Sequence, residues 1–296
     1  MEYKNRLGID LHIHSTASDG SLTPADIIDH AQKLNLAAIA ITDHDSVDGS
    51  KEALQIDIPP SLHFLTGVEI SAAHPPFFPG SGSFHILGYA IHLDNRDLNQ
   101  ALSKLQDARK NRNPEILKRL NKLGFRISLE EVNQEVGEGQ LGRPHIAYAM
   151  LKKGFVASIN EAFDKYLGNA GPAYVDKDRI ECEQAISIIR AAGGVPVLAH
   201  PALLNIENDQ KLDALLQNLM EIGLAGIEVY YPGHSPQQIR QYTELAENYG
   251  LLMTGGTDFH GSITPDTKMG SGDGDLFVPY TLYKELIDAN KRSFRD

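Results

Sequence analysis

Short apolar runs and amphipathic stretches alternate along most of the chain. Residues 7–12, 37–42, 63–70 and 84–91 read as strands, and 25–34 and 46–53 as helices. A continuous apolar run suits a strand buried on both faces, whereas apolar positions three and four apart suit a helix packed on one side. Thr23 has the chemistry of an N-cap, with Pro24 at the first helical position. Segment 72–83, rich in Pro and Gly, reads as a loop. The pattern changes at residue 95. A long polar-apolar helical stretch, 95–123, is followed by helical pieces at 129–136, 144–153 and 159–167, with almost no β-branched strand signal. Alternation then resumes: helix 181–192 closed by Gly193-Gly194, strand 195–199, helix 210–222, strand 226–230, helix 236–249, strand 251–254, a short extended piece at 277–279 and helix 283–290. Repeated β–α units imply an α/β fold on a parallel sheet, open or closed, and about seven strands is close to a barrel count. The expected organisation is a barrel domain made of 1–94 and 176–296, with a helical insertion over 95–175.

Composition narrows the function. The chain has 296 residues, 42% hydrophobic and 22% charged, as expected of a globular enzyme. Its net charge of −12 disfavours duplex DNA as a non-specific partner, although bound cations would let it take a small anion. Cys182 is the one cysteine, so neither an intrachain disulfide nor a cysteine-rich zinc module is available. No apolar run is long enough to span a bilayer and the N-terminus lacks a signal-peptide pattern, so no membrane partner and a cytoplasmic location are expected. Twelve histidines stand against no tryptophan, and the placement of the histidines carries the chemical argument.

His12 and His14 are two apart in a strand-like run, so both rings and Asp10 project from one face and can converge on a cation. Asp258 and His260 repeat that spacing. His44 follows the strand 37–42, and His200 follows 195–199, where Pro201 favours an extended, strand-terminating backbone. In an α/β barrel the C-terminal strand ends form the active face. Glu69 lies within an apolar run, where a carboxylate is costly unless paired or bound to metal, and no arginine is near it in sequence. Asp19, in Ser18-Asp19-Gly20, would alone be a turn residue. The donors are nitrogen and oxygen without sulfur, a set that accepts manganese, iron or zinc. They are too many for one ion. Two or three divalent ions, roughly 4 Å apart, would clamp an in-line displacement at phosphorus.

Five motifs in this order resemble the polymerase and histidinol phosphatase (PHP) family: Asp10-Leu11-His12-Ile13-His14 with Asp19, Thr42-Asp43-His44-Asp45, Gly67-Val68-Glu69, Ala199-His200-Pro201 and Gly256-Thr257-Asp258-Phe259-His260. The resemblance implies a distorted (β/α)7 barrel with a trinuclear metal site at its mouth. It implies one ion on His12, His14, Glu69 and Asp258, a second on Glu69, His85 and His200, and a third on Asp19, His44 and His260. A water between ions, held by Glu69, Asp258 and His200, would be the nucleophile, and Asp43 would orient a ligand. His74, in the Pro-rich loop, is the rival to His85, which a strand would fix better.

Within the insertion, Gly142-Arg143-Pro144-His145-Ile146-Ala147, Tyr166-Leu167-Gly168 and Pro172-Ala173-Tyr174-Val175 are similar to the branch that hydrolyses nucleoside 3′,5′-bisphosphates, some members of which trim RNA from its 5′ end. That implies a metal-dependent phosphoesterase that takes a nucleotide bisphosphate or short RNA, with manganese the leading metal. Arg143 and His145 would grip the second phosphate, and His234 would touch a phosphate or the leaving group. The rivals are a phosphatase for histidinol phosphate and a non-catalytic, metal-stabilised module. His30, His63 and His92 match no motif, and Arg109-Lys110-Asn111-Arg112 reads as a solvated helix face or an extension of the phosphate path.

Overall fold

The computed structural model describes residues 8–78, 82–136, 141–176 and 179–293. Strands β1 (Ile9–Ile13), β2 (Ala38–Ile41) and β3 (His63–Ala73) pair in parallel. β4 (His85–Tyr89) follows β3, and the two-residue β5 (Ile180–Glu181) lies off the main path, paired with the end of β3. β6 (Val195–Leu198), β7 (Gly226–Tyr230) and β8 (Leu252–Gly255) complete the sheet, whose order is β1-β2-β3-β4-β6-β7-β8. Just past β1 and β8 the two edges meet, because Ile13 bridges Phe259. The result is a nearly closed, seven-stranded barrel with helices around it.

The sheet is not wholly parallel as its β–α rhythm implies. β4 runs antiparallel to both β3 and β6. Among the described residues the link from β3 to β4 contains no helix, and a parallel return needs a crossover of a dozen residues or more. β3 also runs to Ala73, into the segment read as loop, because Ser71 pairs with His85 and Ala72 with Ile180.

β2, Ala38-Ile39-Ala40-Ile41, is buried at every position, consistent with a strand covered on both faces. Helices α1 (Pro24–Lys33) and α2 (Asp48–Ala53) cover the first strands; the Thr23 side chain accepts the Asp26 amide and caps α1 as its sequence implies. α3 (Arg96–Lys122) begins on Asn95, whose side chain accepts the Leu98 amide. Its buried stripe serves two cores. Leu98, Leu102 and Leu105 pack with Ile70, Ile186 and Ile189 against the barrel. Ile116, Leu117 and Leu120 pack with Val132 of α4 (Leu129–Val136), Ile146 and Met150 of α5 (Arg143–Lys152), Ala162 of α6 (Ile159–Ala162) and Leu167 of the π-turn Phe163–Leu167 that extends α6. Each such side chain contributes about 1.5–3 kcal/mol when fully buried, so the second core draws these helices together. α7 (Cys182–Ala191), α8 (Asp209–Glu221), α9 (Pro236–Tyr249) and α10 (Tyr280–Ser293) return the chain to the barrel wall. No helix among the described residues is long and apolar enough to cross a membrane.

Candidate metal centre

The strand ends, with Asp19 in the loop after β1, bring nine of the candidate ligands together, while Asp10 and His74 lie apart from them. β1 supplies His12, with His14 one residue beyond it; β3 supplies Glu69, β4 begins at His85, and His44, His200, Asp258 and His260 lie just past β2, β6 and β8. Glu69 is the hub. Its Oε1 lies 2.7 Å from His85 Nδ1 and 2.9 Å from His200 Nε2. Its Oε2 lies 2.8 Å from His44 Nδ1, 3.3 Å from His14 Nε2 and 3.4 Å from His12 Nε2. Asp258 Oδ1 reaches His14 Nε2 at 2.9 Å and His12 Nε2 at 3.4 Å. On the far side Asp19 Oδ1 is 3.4 Å from His260 Nε2, and Oδ2 is 3.9 Å from His44 Nε2.

Three subsets have donor atoms within 4.8 Å of one another: His12, His14, Glu69 and Asp258; His44, Glu69 and His85; and His14, Asp19, His44 and His260. The first is the set implied by the motifs. The second has His44 where His200 was expected, and the third adds His14. His74 belongs to none of them. Its Nε2 sits 2.8 Å from the Gly82 carbonyl, and its ring packs between Phe78 and Phe84.

The residues fit a divalent cation. His12 Nε2, His14 Nε2, His44 Nδ1, Asp19 Oδ1, Glu69 Oε2 and Asp258 Oδ1 are buried and make no well-formed hydrogen bond. Leaving such groups unsatisfied costs about 1–3 kcal/mol each, more when charged, and an ion that accepts both nitrogen and oxygen donors removes that cost. Burial alone would raise the Glu69 carboxyl, but the imidazoles of His44, His85 and His12 hold it well below the carboxylate range. Burial lowers His85 to about 3, which leaves its ring neutral. His14 goes the other way, to about 10, because Asp258 and Glu69 outweigh its burial. The acids thus draw positive charge into the cage, as a proton or as a cation.

A profile of the PHP domain matches residues 10–194. This chain belongs to the PHP family. A 3′,5′-nucleoside bisphosphate phosphatase from Chromobacterium violaceum is 31% identical over 253 residues, covering 85% of this chain and 87% of the relative. The 5′-3′ exoribonuclease Rnm of Escherichia coli is 32% identical over 254 residues, covering 85% of this chain and 84% of the relative. A solved chain from Bifidobacterium adolescentis, assigned as a metal-dependent phosphoesterase, superposes with a TM-score of 0.83 at 29% identity, covering 95% of this chain and 96% of that one. The PHP barrel here is accordingly that of a metal-dependent hydrolase of phosphate esters.

Second-rank contacts hold the PHP cage in shape. Glu228, buried on β7, has Oε1 2.9 Å from His12 Nδ1 and accepts the His200 backbone N–H at 2.7 Å. When His12 donates from Nδ1 to Glu228, its Nε2 lone pair faces the cage. Sequence reading missed Glu228, although a lone carboxylate in an apolar strand is the signal that exposed Glu69. Asp43 accepts from Ser15 N, Ser15 Oγ and Ser18 Oγ, and so shapes the loop between His14 and Asp19. Asp10 is structural, accepting from Thr257 N, Thr257 Oγ1 and Gly270 N. A Cβ on Gly256 would meet the His12 nitrogen at 2.3 Å, so only glycine lets the chain pass there. His200 is not extended before Pro201; its φ is +25°, and Asp45 and Asp258 have φ +53° and +55°. Left-handed backbone at non-glycine positions is costly, and here it coincides with groups tied to the cage.

A cavity of about 450 Å³ opens over the cage. His44, Glu69, His85, His200, Asp258 and His260 line it together with Arg109, Arg112, Arg143 and Phe163 of the insertion and Tyr231 just past β7. Arg143 donates to the Leu167 carbonyl at 3.0 Å and lies over the Phe163 and Tyr174 rings at 5.7 and 5.6 Å. His145 and His234 are not among the cavity-lining residues. His145 Nδ1 accepts the Gly142 amide at the start of α5, and His234 Nδ1 donates to the Val229 carbonyl behind Tyr231. Arg109 and Arg112 are no solvated face: they are 6% and 5% exposed and continue the buried stripe of Leu98, Leu102 and Leu105 into Ile116 and Leu120. That helical spacing was the available signal, masked by their charge. A separate cavity of about 530 Å³ beyond α3, lined in part by Gln106, Lys110 and Asn133, holds no comparable donor set.

Proposed function

We propose that this PHP hydrolase removes the 3′-phosphate of nucleoside 3′,5′-bisphosphates, giving a 5′-mononucleotide and phosphate, and that it accepts short RNA by its 5′ end. The carrying observation is the pairing of an acid–imidazole cage with an arginine-lined wall in one cavity. The relatives named for a nucleoside bisphosphate and for RNA support the same substrate class.

His12, His14, Asp19, His44, Glu69, His85, His200, Asp258 and His260 would hold two or three divalent ions, with manganese the leading choice over iron or zinc. Such ions supply concentrated positive charge at the oxygens of the transferring phosphoryl group. The chain's own residues do the rest. Glu69 spans the cage and sets the spacing of the histidines on either side. Glu228 and Asp43 fix the orientation of His12 and of the Asp19 loop. The described helices of the insertion, α3 to α6, would form a cap that brings Arg143 to the cavity, and its grip on the remote phosphate would align the scissile ester with the cage. The rings of Phe163 and Tyr231 exclude water from one side.

Phosphate release from adenosine 3′,5′-bisphosphate, histidinol phosphate, a short RNA and an aryl phosphate, each with manganese-loaded protein, tests this reading. The bisphosphate is expected to lead by kcat/KM. A lead for histidinol phosphate would overturn the substrate assignment, and no release from any ester would overturn the function.

A further inference from the structure

We propose that Arg109 is a positioning residue for the cation cage: through Asp45 and Ser71 it ties α3 of the insertion to the loop that carries His44, so that docking of the insertion and binding of a divalent ion favour one another. The inference rests on the cage proposed above and deepens it, naming a residue that no motif marks.

Asp45 follows His44 directly, and its backbone is left-handed, with φ +53°. A residue other than glycine keeps such a conformation where its surroundings over-determine it. Two elements do so here. From β3, the Glu69 carbonyl accepts the Asp45 amide at 2.9 Å, Ser71 N donates to Asp45 Oδ1 at 2.7 Å, and Ser71 Oγ donates to Oδ2 at 3.0 Å. From α3, Arg109 Nε and Nη2 lie 2.8 and 2.7 Å from Asp45 Oδ2, and Gln106 Nε2 donates to the Asp45 carbonyl at 3.0 Å. Arg109 Nη2 also donates to Ser71 Oγ at 3.1 Å. Asp45, Ser71 and Arg109 are all buried, so water competes little for these bonds.

The bonded group sits beside three cage residues. His44 Nδ1 lies 2.8 Å from Glu69 Oε2, and the two residues pair as an isolated parallel bridge past the end of β2. Ser71 is two residues beyond Glu69 on β3 and opposite His85 on β4. A shift of Asp45 therefore moves His44 against Glu69 and His85, which have donor atoms within 4.8 Å of one another. Arg109 meets this loop midway along α3, between Leu105 in the barrel core and Ile116 in the insertion core. A buried ion pair adds little net stability, because desolvation offsets its attraction. What this pair adds is alignment of the adjoining histidine. By linkage, whatever factor docking of α3 contributes to cation affinity, the cation returns to docking.

The test compares wild type with Arg109→Lys, Arg109→Gln and Leu117→Ala, each stripped by a chelator and reloaded with manganese. Leu117→Ala loosens the insertion core without touching Asp45. Competition with a chelating dye reads manganese affinity, and hydrogen exchange reads α3 with and without manganese. Arg109→Lys keeps the charge but loses the planar fork, and its affinity is expected to fall about tenfold or more. Arg109→Gln strands the Asp45 carboxylate and is expected to lose more; the lysine variant decides alone if it does not fold. Leu117→Ala is expected to stay within about twofold of wild type. Manganese is expected to slow exchange in α3 of wild type by about fivefold or more, and this slowing shrinks in Arg109→Lys. Affinity within about twofold of wild type in Arg109→Lys, an equal loss in Leu117→Ala, or α3 exchange indifferent to manganese in wild type overturns the coupling. A wild type that takes up no manganese overturns the cage and the coupling together. A wild type that binds manganese yet hydrolyses no ester overturns the substrate reading alone, and the two manganese readouts still decide the coupling.

Discussion

The cage and the arginine wall line one cavity, and they are built in opposite ways. Most cage residues sit on strands or just past their ends, where the hydrogen-bonded sheet fixes their separation, and all but His85 belong to a short motif. Arg109, Arg112 and Arg143 come from helices, and they reach the cavity only because α3 packs its apolar stripe into two cores at once. One wall is set by local sequence and strand register, the other by docking of a cap. On the proposed function the cage serves chemistry and Arg143 serves selectivity, so mutation addresses them one at a time.

The largest effect is expected at the hub. Glu69→Ala removes the carboxylate that contacts five imidazoles, and both bound metal and hydrolysis of every ester fall by more than about a hundredfold. Metal retained at the wild-type level with activity lost would break the link between Glu69 and the ions. Next comes Glu228→Gln, which keeps the shape but weakens the hold on His12 Nδ1. Metal affinity is expected to drop about tenfold to a hundredfold, read by competition with a chelator; an unchanged affinity contradicts the orienting role. Arg143→Ala is expected to raise KM for the bisphosphate about tenfold while costing an aryl phosphate much less. Equal losses on both substrates would merge the two walls into one. The smallest effect belongs to Lys110, whose side chain is 69% exposed on the same turn of α3. Lys110→Ala is expected to change stability by no more than about 0.5 kcal/mol, with the bisphosphate KM within twofold; a large KM rise would extend the wall beyond the buried stripe.

These contrasts also explain what could be read from the chain. Strand-and-helix order was legible because burial on two faces leaves continuous apolar runs, as in Ala38–Ile41, while a cap such as Thr23 marks a helix start. The direction of β4 was not legible, since periodicity does not encode strand sense; only the pairing with β3 reveals the antiparallel return. Candidate ligands were legible because histidines and acids at strand ends repeat a spacing. The backbone at His200 was not: a neighbouring Pro201 argues for extension, and the contact of its amide with Glu228 overrides that preference. Arg109 and Arg112 were misread because charge at a helix position normally means solvent. Their spacing with Leu105 and Ile116 said otherwise, but nothing local announces that Asp45 waits on the other side.

Elemental analysis of the purified, folded protein, wild type beside Glu69→Ala, tests most directly that the histidines and acids form one cation cage. The account predicts about two or more divalent ions per wild-type chain after loading with manganese, and their near-complete loss in the variant. A folded wild type that hydrolyses phosphate esters while binding no divalent ion, or a Glu69→Ala chain that keeps its full complement, would contradict it.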